Sequence, residues 1–445
     1  MFINQTLVFL AIIASHNAYT AIHGYPVIIK GYQIRKALNY RTEAYQVFAT
    51  DAQGIAHPIP FQIDEVNNLG DYVLDQGNKP NSASSNGVFD FYDELTIMGN
   101  DVGATTMPKK FMGGPPDTLY QVDISLPEKK LKGSIFIGIF YKELPEKTKQ
   151  KYVIFDGNGH SIKTSSYQYR FDPKNYLVVS EIEKVGLSGL PNRKIIDSST
   201  FYMQADLKYF LTVRANHRSV NSYLESYKSG PIRTIIRINF YYTFLKLNFE
   251  VGMYTEISFF TNAVKLPAII YSPINGKKTL NSKSYFYYGF AFSESLDDYN
   301  ITTNIPEWGR GFQLFNQILD IAKKEKPKSY WASLIGNDHQ VYLELKPSKN
   351  LTQLGVKPEL YKNSIEGGSL VENRNNNEVL AIEEAPINIA VGFNLTKFPE
   401  GESKMSFNLF FENKVDPTSI STYKTLDNWQ YKVTRLKVTK VLSNE

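Results

Sequence analysis

A mainly β fold, with a large antiparallel β-sandwich behind a smaller N-terminal β domain, is predicted by three features of this 445-residue sequence. Apolar and polar residues alternate with a period of two through several long segments, the pattern of half-buried antiparallel strands. Aromatics are the compositional outlier, 30 Tyr and 28 Phe against 3 Trp, and many fall in those segments. Turn signals are dense, whereas a helical stripe stands out at one place.

In chain order, residues 1–21 are expected to be a signal peptide. An apolar run at 6–14 is followed by the small residues Ala14, Ser15, Ala18, Thr20 and Ala21, and the run is too short to span a bilayer. It lacks a Lys or Arg before it, and the alternative is a buried first strand or helix. The smaller β domain is expected over 22–150, closing at the charged stretch 143–151. The large antiparallel region is expected over 151–445, with a sub-boundary near 297–327. Within it, Asp156-Gly157-Asn158-Gly159 marks a hairpin. Residues 206–214 read as one strand, with Leu207, Tyr209, Leu211 and Val213 on one face. Ser229-Gly230-Pro231 launches a second strand over 232–242, and 247–259 alternates as a third. Asn275-Gly276 reads as another turn between apolar runs. One helix is expected at 311–326, where Leu314, Phe315, Ile318, Leu319 and Ala322 share a face and Pro327 follows. Asn373–Asn377 reads as an exposed loop tip.

Composition removes several function classes. A net charge of +5 with interleaved acids and bases is thin for a nucleic-acid binder. The absence of Cys excludes disulfide frameworks, thiolate nucleophiles and Cys-type metal sites. The six His form no HExxH or H-x-H pair. Gly186-Leu187-Ser188-Gly189 misses a nucleophile elbow by one residue, and Gly276-Lys277 lacks the P-loop glycine upstream. After residue 21 no stretch reaches 18 consecutive apolar residues. Uneven strand spacing, with Lys and Glu on both faces of many strands, disfavours a membrane barrel.

Two constellations carry candidate chemistry. Asp64, Asp90, Asp93 and Glu94 could gather around Ca²⁺, a hard cation that takes several oxygen ligands. The alternative is that Asp90 and Asp93 cap a turn while Asp64 pairs with a basic residue. The second constellation is basic and aromatic: Arg214, Arg218, Arg233, Arg237 and Tyr254, with Tyr223, Tyr227 and Tyr241 near in sequence. On a concave sheet, guanidinium groups would bind a sugar carboxylate bidentately and Tyr rings would stack on sugar faces. His217 is the candidate general base there. The alternative is a solvated face whose Arg side chains pair with Glu225, Glu250 and Glu256.

Three segments also carry a resemblance. Ile59-Pro60-Phe61-Gln62-Ile63-Asp64, followed by Phe89-Asp90-Phe91-Tyr92-Asp93-Glu94-Leu95-Thr96-Ile97-Met98 and Asp101, resembles a family of exported bacterial β-rich proteins without an assigned activity. The step Gly230-Pro231-Ile232-Arg233 is similar to strand starts in galactose-mutarotase-like and polysaccharide-lyase-associated proteins. The resemblance implies a supersandwich-like arrangement of the large sheets.

The expected function is that of an exported envelope protein, periplasmic or at the cell surface, which binds carbohydrate or another envelope component without catalysis. One alternative is a lyase or epimerase acting on an acidic glycan. Another is a partner-binding component of an envelope assembly that receives a strand at an open sheet edge.

Overall fold

The computed structural model describes residues 25–126, 131–143, 145–186, 191–208, 211–217, 219–244, 247–272, 274–293, 298–305, 329–362, 389–412 and 430–436. The expected signal peptide, the helix at 311–326, most of the sub-boundary near 297–327, the loop tip at 373–377 and Arg218 lie outside them.

The fold is mainly β. Its N-terminal part contributes β1 (Pro26–Lys30), β2 (Tyr45–Thr50), β3 (Ile55–Pro58), β4 (Phe61–Asp64), β5 (Gln76–Gly77), β6 (Glu94–Met98), β7 (Lys110–Phe111), β8 (Thr118–Leu126) and β9 (Leu131–Ile139). The middle contributes β10 (Val153–Asp156), β11 (Ser161–Thr164), β12 (Tyr167–Asp172), β13 (Asn175–Lys184), β14 (Arg193–Asp206), β15 (Thr212–Asn216), β16 (Val220–Ser229), β17 (Thr234–Phe244), β18 (Leu247–Phe259), β19 (Ala263–Ser272) and β20 (Tyr285–Phe292). The last strands are β21 (Asn300–Thr303), β22 (Tyr330–Ile335), β23 (Gln340–Pro347), β24 (Pro358–Lys362), β25 (Ile389–Asn394), β26 (Gly401–Glu412) and β27 (Gln430–Leu436).

Two nine-stranded sheets form the sandwich. One runs β10-β11-β12-β13-β14-β20-β25-β24 with β15 beside β14; the other runs β21-β22-β23-β26-β19-β18-β17-β16-β5. Alternate residues of each strand point into one shared core, which is why the period-two pattern dominates the sequence. Phe290 stacks on Phe407 across the sheets at 6.0 Å, and Tyr169 meets Phe259 edge-on at 5.1 Å. Ile236, Ile257, Val264, Leu343 and Leu409 fill the same core from the second sheet.

The N-terminal part is a smaller pair of layers. The three-stranded sheet β1-β6-β4 packs on the six-stranded sheet β27-β8-β9-β2-β3-β7 through Val27, Ile29, Leu95, Ile97, Val122 and Ile137. Two crossings tie the layers to the sandwich. β27, near the end of the chain, pairs with β8 from Gln430↔Ser125 to Leu436↔Leu119. β5 pairs with β16 and covers that edge of the second large sheet.

The hairpin at Asp156–Gly159 is present, with Asp156 opposite Ser161 and its carboxylate accepting the Gly159 N–H at 2.9 Å. The strand expected at 247–259 matches β18. The strand expected from 232 starts at Thr234, because residues 230–233 make the turn and Gly230 N–H donates to the Arg233 carbonyl.

Two local expectations need correction. Residues 206–214 are not one strand: Asp206 ends β14, Thr212 starts β15, and the two pair as a hairpin. Paired residues keep the same parity (204 with 214, 206 with 212), so alternation runs through the turn unbroken and cannot reveal it. Asn275-Gly276 is not a hairpin turn but the start of a one-turn helix, Gly276–Thr279, where the Asn275 side chain accepts the Lys278 N–H. A Cβ at Gly276 would lie 2.2 Å from the Leu395 carbonyl oxygen. Gly276→Ala is therefore expected to destabilise the chain by about 1–3 kcal/mol through backbone displacement, read as a lower urea midpoint. An unchanged midpoint would mean that the 395–397 turn moves aside freely.

Candidate ligand-binding cleft

The N-terminal layers rest on the outer face of the second large sheet. Tyr25 and Ile28 cover an apolar patch of Phe260, Ala263, Trp331, Tyr342 and Phe410 there. Beside that contact a cleft of about 450 Å³ stays open.

Its floor follows from strand register. Core residues of β18, β19, β26 and β23 alternate with residues on the outer face, so Ser258, Lys265, Asn408 and Glu344 share that face. Register aligns them into one rung: Ser258↔Lys265, Lys265↔Asn408 and Asn408↔Glu344. A second rung places Pro267, Ser406 and Lys346 side by side. Glu344 is 2% exposed, accepts the Asn408 amide at 3.1 Å and lies 3.4 Å from the Lys346 ammonium. The opposing wall is Lys30 of β1, Tyr32 and Gln33 of the following turn, and Tyr431 of β27, whose hydroxyl donates to the Ile28 carbonyl at 3.0 Å.

Arg233 also lines the cleft and is 1% exposed. Its Nε donates to Asp64 Oδ2 at 2.8 Å, and its Nη2 reaches Glu94 Oε2 at 2.5 Å and Asp64 Oδ2 at 2.8 Å. The guanidinium lies 4.9 Å from the Tyr72 ring centre and 5.6 Å from the Phe260 ring centre. Gln62 completes the frame: its amide donates to Asp64 at 2.8 Å, and its carbonyl accepts the N–H groups of Ile232 and Arg233. Lys228 adds a second cation 3.2 Å from Asp64, while Lys30 pairs with Glu94. The Tyr72 hydroxyl donates to Glu94 at 2.9 Å.

Electrostatics follow from this packing. Burial alone would push the Glu94 carboxyl up, but Arg233 and then Lys30 overcome it and hold the carboxyl down at about 2. At Asp64 burial is likewise outweighed, by Arg233 and then Lys228, and the carboxyl sits below its ordinary value. Arg237 donates to Glu256 Oε1 through Nε at 3.1 Å and Nη2 at 2.5 Å, and lies 4.8 Å from the Tyr254 ring centre. Burial raises the Glu256 carboxyl despite that partner.

The structure thus brings together Arg233, Arg237 and Tyr254 of the expected basic–aromatic set. Arg214 is elsewhere: it belongs to β15 in the other large sheet, exposed, with Nε donating to Gln204 at 3.1 Å. His217 follows β15 in the chain, its Nδ1 2.5 Å from Thr200 Oγ1, and it does not line the cleft.

The four candidate calcium ligands do not converge on one point. Asp64 and Glu94 face Arg233. Asp93 accepts the Val66 and Asp90 N–H groups, each at 2.7 Å, and Asp90 accepts the Tyr92 N–H at 3.0 Å. This is the turn-capping alternative. Among the described residues, no group of three or more His, Asp or Glu side chains is arranged to hold a metal ion. Lys30, Tyr32, Tyr72, Lys265, Glu344, Lys346, Asn408 and Tyr431 were not legible as site residues. The available signal was weak: a strand such as Gln340–Pro347 carries Glu344 and Lys346 between apolar neighbours.

No protein-family model matches this chain, and no curated protein does. Among solved structures, the chain is similar to an alpha-mannosidase from Enterococcus faecalis V583, with 10% identity, a TM-score of 0.41, and 96% of this chain against 48% of that one. It is also similar to a protein in the glycosyl hydrolase family 38 from Enterococcus faecalis, with 8% identity, a TM-score of 0.39, and 94% of this chain against 46% of that one. The chain spans about half the length of either, and both likenesses are distant. Among the described residues, no helix is long and apolar enough to cross a membrane.

Proposed function

We propose that the chain is an exported envelope protein whose cleft binds carbohydrate without transforming it. The observation that carries this reading is the rung Ser258–Lys265–Asn408–Glu344 facing Tyr32 and Tyr431. Hydroxyl, ammonium, amide and carboxylate in one row offer both donors and acceptors, which suits a ligand dense in hydroxyl groups. Tyrosine supplies an apolar ring face together with a polar tip. Binding is favoured over turnover because Glu94 and Glu256 are both engaged by guanidinium groups. His217, the base expected for a lyase, lies outside the cleft.

The test is a panel of neutral and acidic sugars screened by thermal melting. A ligand at a hundredfold excess over its Kd adds about 2.7 kcal/mol to stability. Asn408→Ala removes one rung donor and is expected to weaken the best ligand about tenfold. It also takes the amide partner from buried Glu344, so the free protein melts at a lower temperature and affinity is compared well below that midpoint. A panel that leaves the midpoint flat, or a variant that binds as well as the parent, would overturn the reading.

A further inference from the structure

Beside the cleft mouth lies an aromatic shelf. Tyr32, which lines the cleft, is 47% exposed; Phe91 is 40% and Tyr92 61% exposed. The Tyr32 and Phe91 ring centres are 5.7 Å apart, and Phe91 and Tyr92 are 5.2 Å apart. Single exposed aromatics are ordinary on a protein surface, but a contiguous set beside a polar cleft points to a binding surface.

The shelf is held rigidly from below. Tyr32 N–H donates to the Phe91 carbonyl at 3.0 Å and Gly31 N–H to the Asp93 carbonyl at 2.8 Å. Gly31 permits this approach, since a Cβ there would fall 1.9 Å from the Asp90 carbonyl oxygen. The Asp90 and Asp93 carboxylates cap the turn that presents Phe91 and Tyr92. A backbone fixed this way loses little freedom when a ligand stacks on the rings it carries. The shelf is also basic: the Arg35 guanidinium lies 5.0 Å from the Phe91 ring centre, and its Nε donates to the Tyr32 carbonyl at 3.2 Å. Lys36 is exposed next to it.

We infer that the cleft and the shelf form one continuous groove for an acidic oligosaccharide, with uronic-acid sugars beyond the cleft stacking on Tyr32, Phe91 and Tyr92 while their carboxylates meet Arg35. This rests on the cleft taking a carbohydrate. A sugar chain fits because Tyr32 belongs to both surfaces and the cleft beside it is lined by charged and amide side chains, Lys30, Lys265, Glu344, Lys346 and Asn408 among them. The guanidinium on the shelf selects carboxylated over neutral sugars.

The test is isothermal titration of the full chain with dimers and hexamers of galacturonate, mannuronate and glucuronate-containing glycans, and with neutral gluco-, manno- and xylohexaose. At least one uronate hexamer is expected to bind about tenfold or more tightly than its own dimer. In Phe91→Ala/Tyr92→Ala that hexamer falls to dimer affinity, while the dimer, confined to the cleft, is unchanged. Arg35→Gln weakens the uronate hexamer and flattens its salt dependence without affecting neutral sugars. Dimers that bind as tightly as hexamers, or neutral hexamers that bind better, would overturn the shelf and leave the cleft standing. A chain that binds no sugar of any length would overturn the cleft reading itself. Tyr92-dependent binding to phosphatidylglycerol vesicles, without hexamer binding, would make the shelf a membrane dock instead.

Discussion

Arg233→Met is expected to destabilise the protein by about 3–5 kcal/mol, the usual penalty for removing one partner of a buried ion pair. Two carboxylates depend on that guanidinium: Asp64, fully buried, and Glu94, 4% exposed at its side chain. Met approximates the aliphatic volume beside the Tyr72 and Phe260 rings but leaves both anions facing each other, with Lys228 and Lys30 as the remaining counter-charges among the described residues. Arg233→Lys is expected to recover part of the loss, because a point charge cannot replace a fork that reaches two carboxylates at once. Adding Asp64→Asn and Glu94→Gln to Arg233→Met removes the stranded charges and should restore stability above that of the single variant. Urea unfolding measures all of these. A single variant within about 1 kcal/mol of the parent would mean that water reaches the carboxylates, and the tie between the N-terminal layers and the sandwich would lie elsewhere.

Acid is expected to undo the same network. Glu94 is held at about 2 in the fold against an ordinary 4.5. Its contribution is complete above the unfolded value and is lost as pH falls from about 4.5 towards 2, amounting to about 3 kcal/mol. Asp64 is shifted in the same direction and adds to the same limb. Asp93 and Asp101 carry the opposite sign. Burial pushes each up to about 6, so each favours the fold as pH falls through that value. Stability measured from pH 7 to 2 should therefore drop steeply only below about 4.5, and Glu94→Gln should flatten that limb. An unchanged acid limb in Glu94→Gln would place its origin in other carboxylates.

Much of this site was present in the sequence as separate pieces. Gln62 and Asp64, then Glu94, then Gly230-Pro231-Ile232-Arg233 fall in the three segments whose residues stood out, and all three meet at one ion-pair cluster. Reading along the chain split them. Chain order sets Asp64 and Glu94 beside Asp90 and Asp93, as oxygen ligands for a cation would stand, and Arg233 beside Arg214, as on a sugar-binding face. In the fold the cations facing Asp64 and Glu94 are Arg233, Lys228 and Lys30. Gly230 shows how tight that meeting is, since a Cβ there would lie 2.0 Å from the Gln62 side chain. Such closeness between residues 62 and 230 has no local signature.

What the sequence by itself determined is the class of the fold and the face each strand residue takes. Ile257 and Phe259 inward, with Glu256 and Ser258 outward, follow from alternation alone, because a pleated strand turns successive side chains to opposite sides. The absence of Cys likewise excludes, from composition alone, a disulfide or a thiolate side chain within these 445 residues. Tertiary structure alone decided which strands are neighbours. Alternation specifies a face but says nothing of the partner, so it cannot tell that β15 joins the first large sheet while β16 joins the second. Nor can it bring Ser258, Lys265, Asn408 and Glu344 into one rung, since that alignment is set by backbone pairing between strands far apart in the chain.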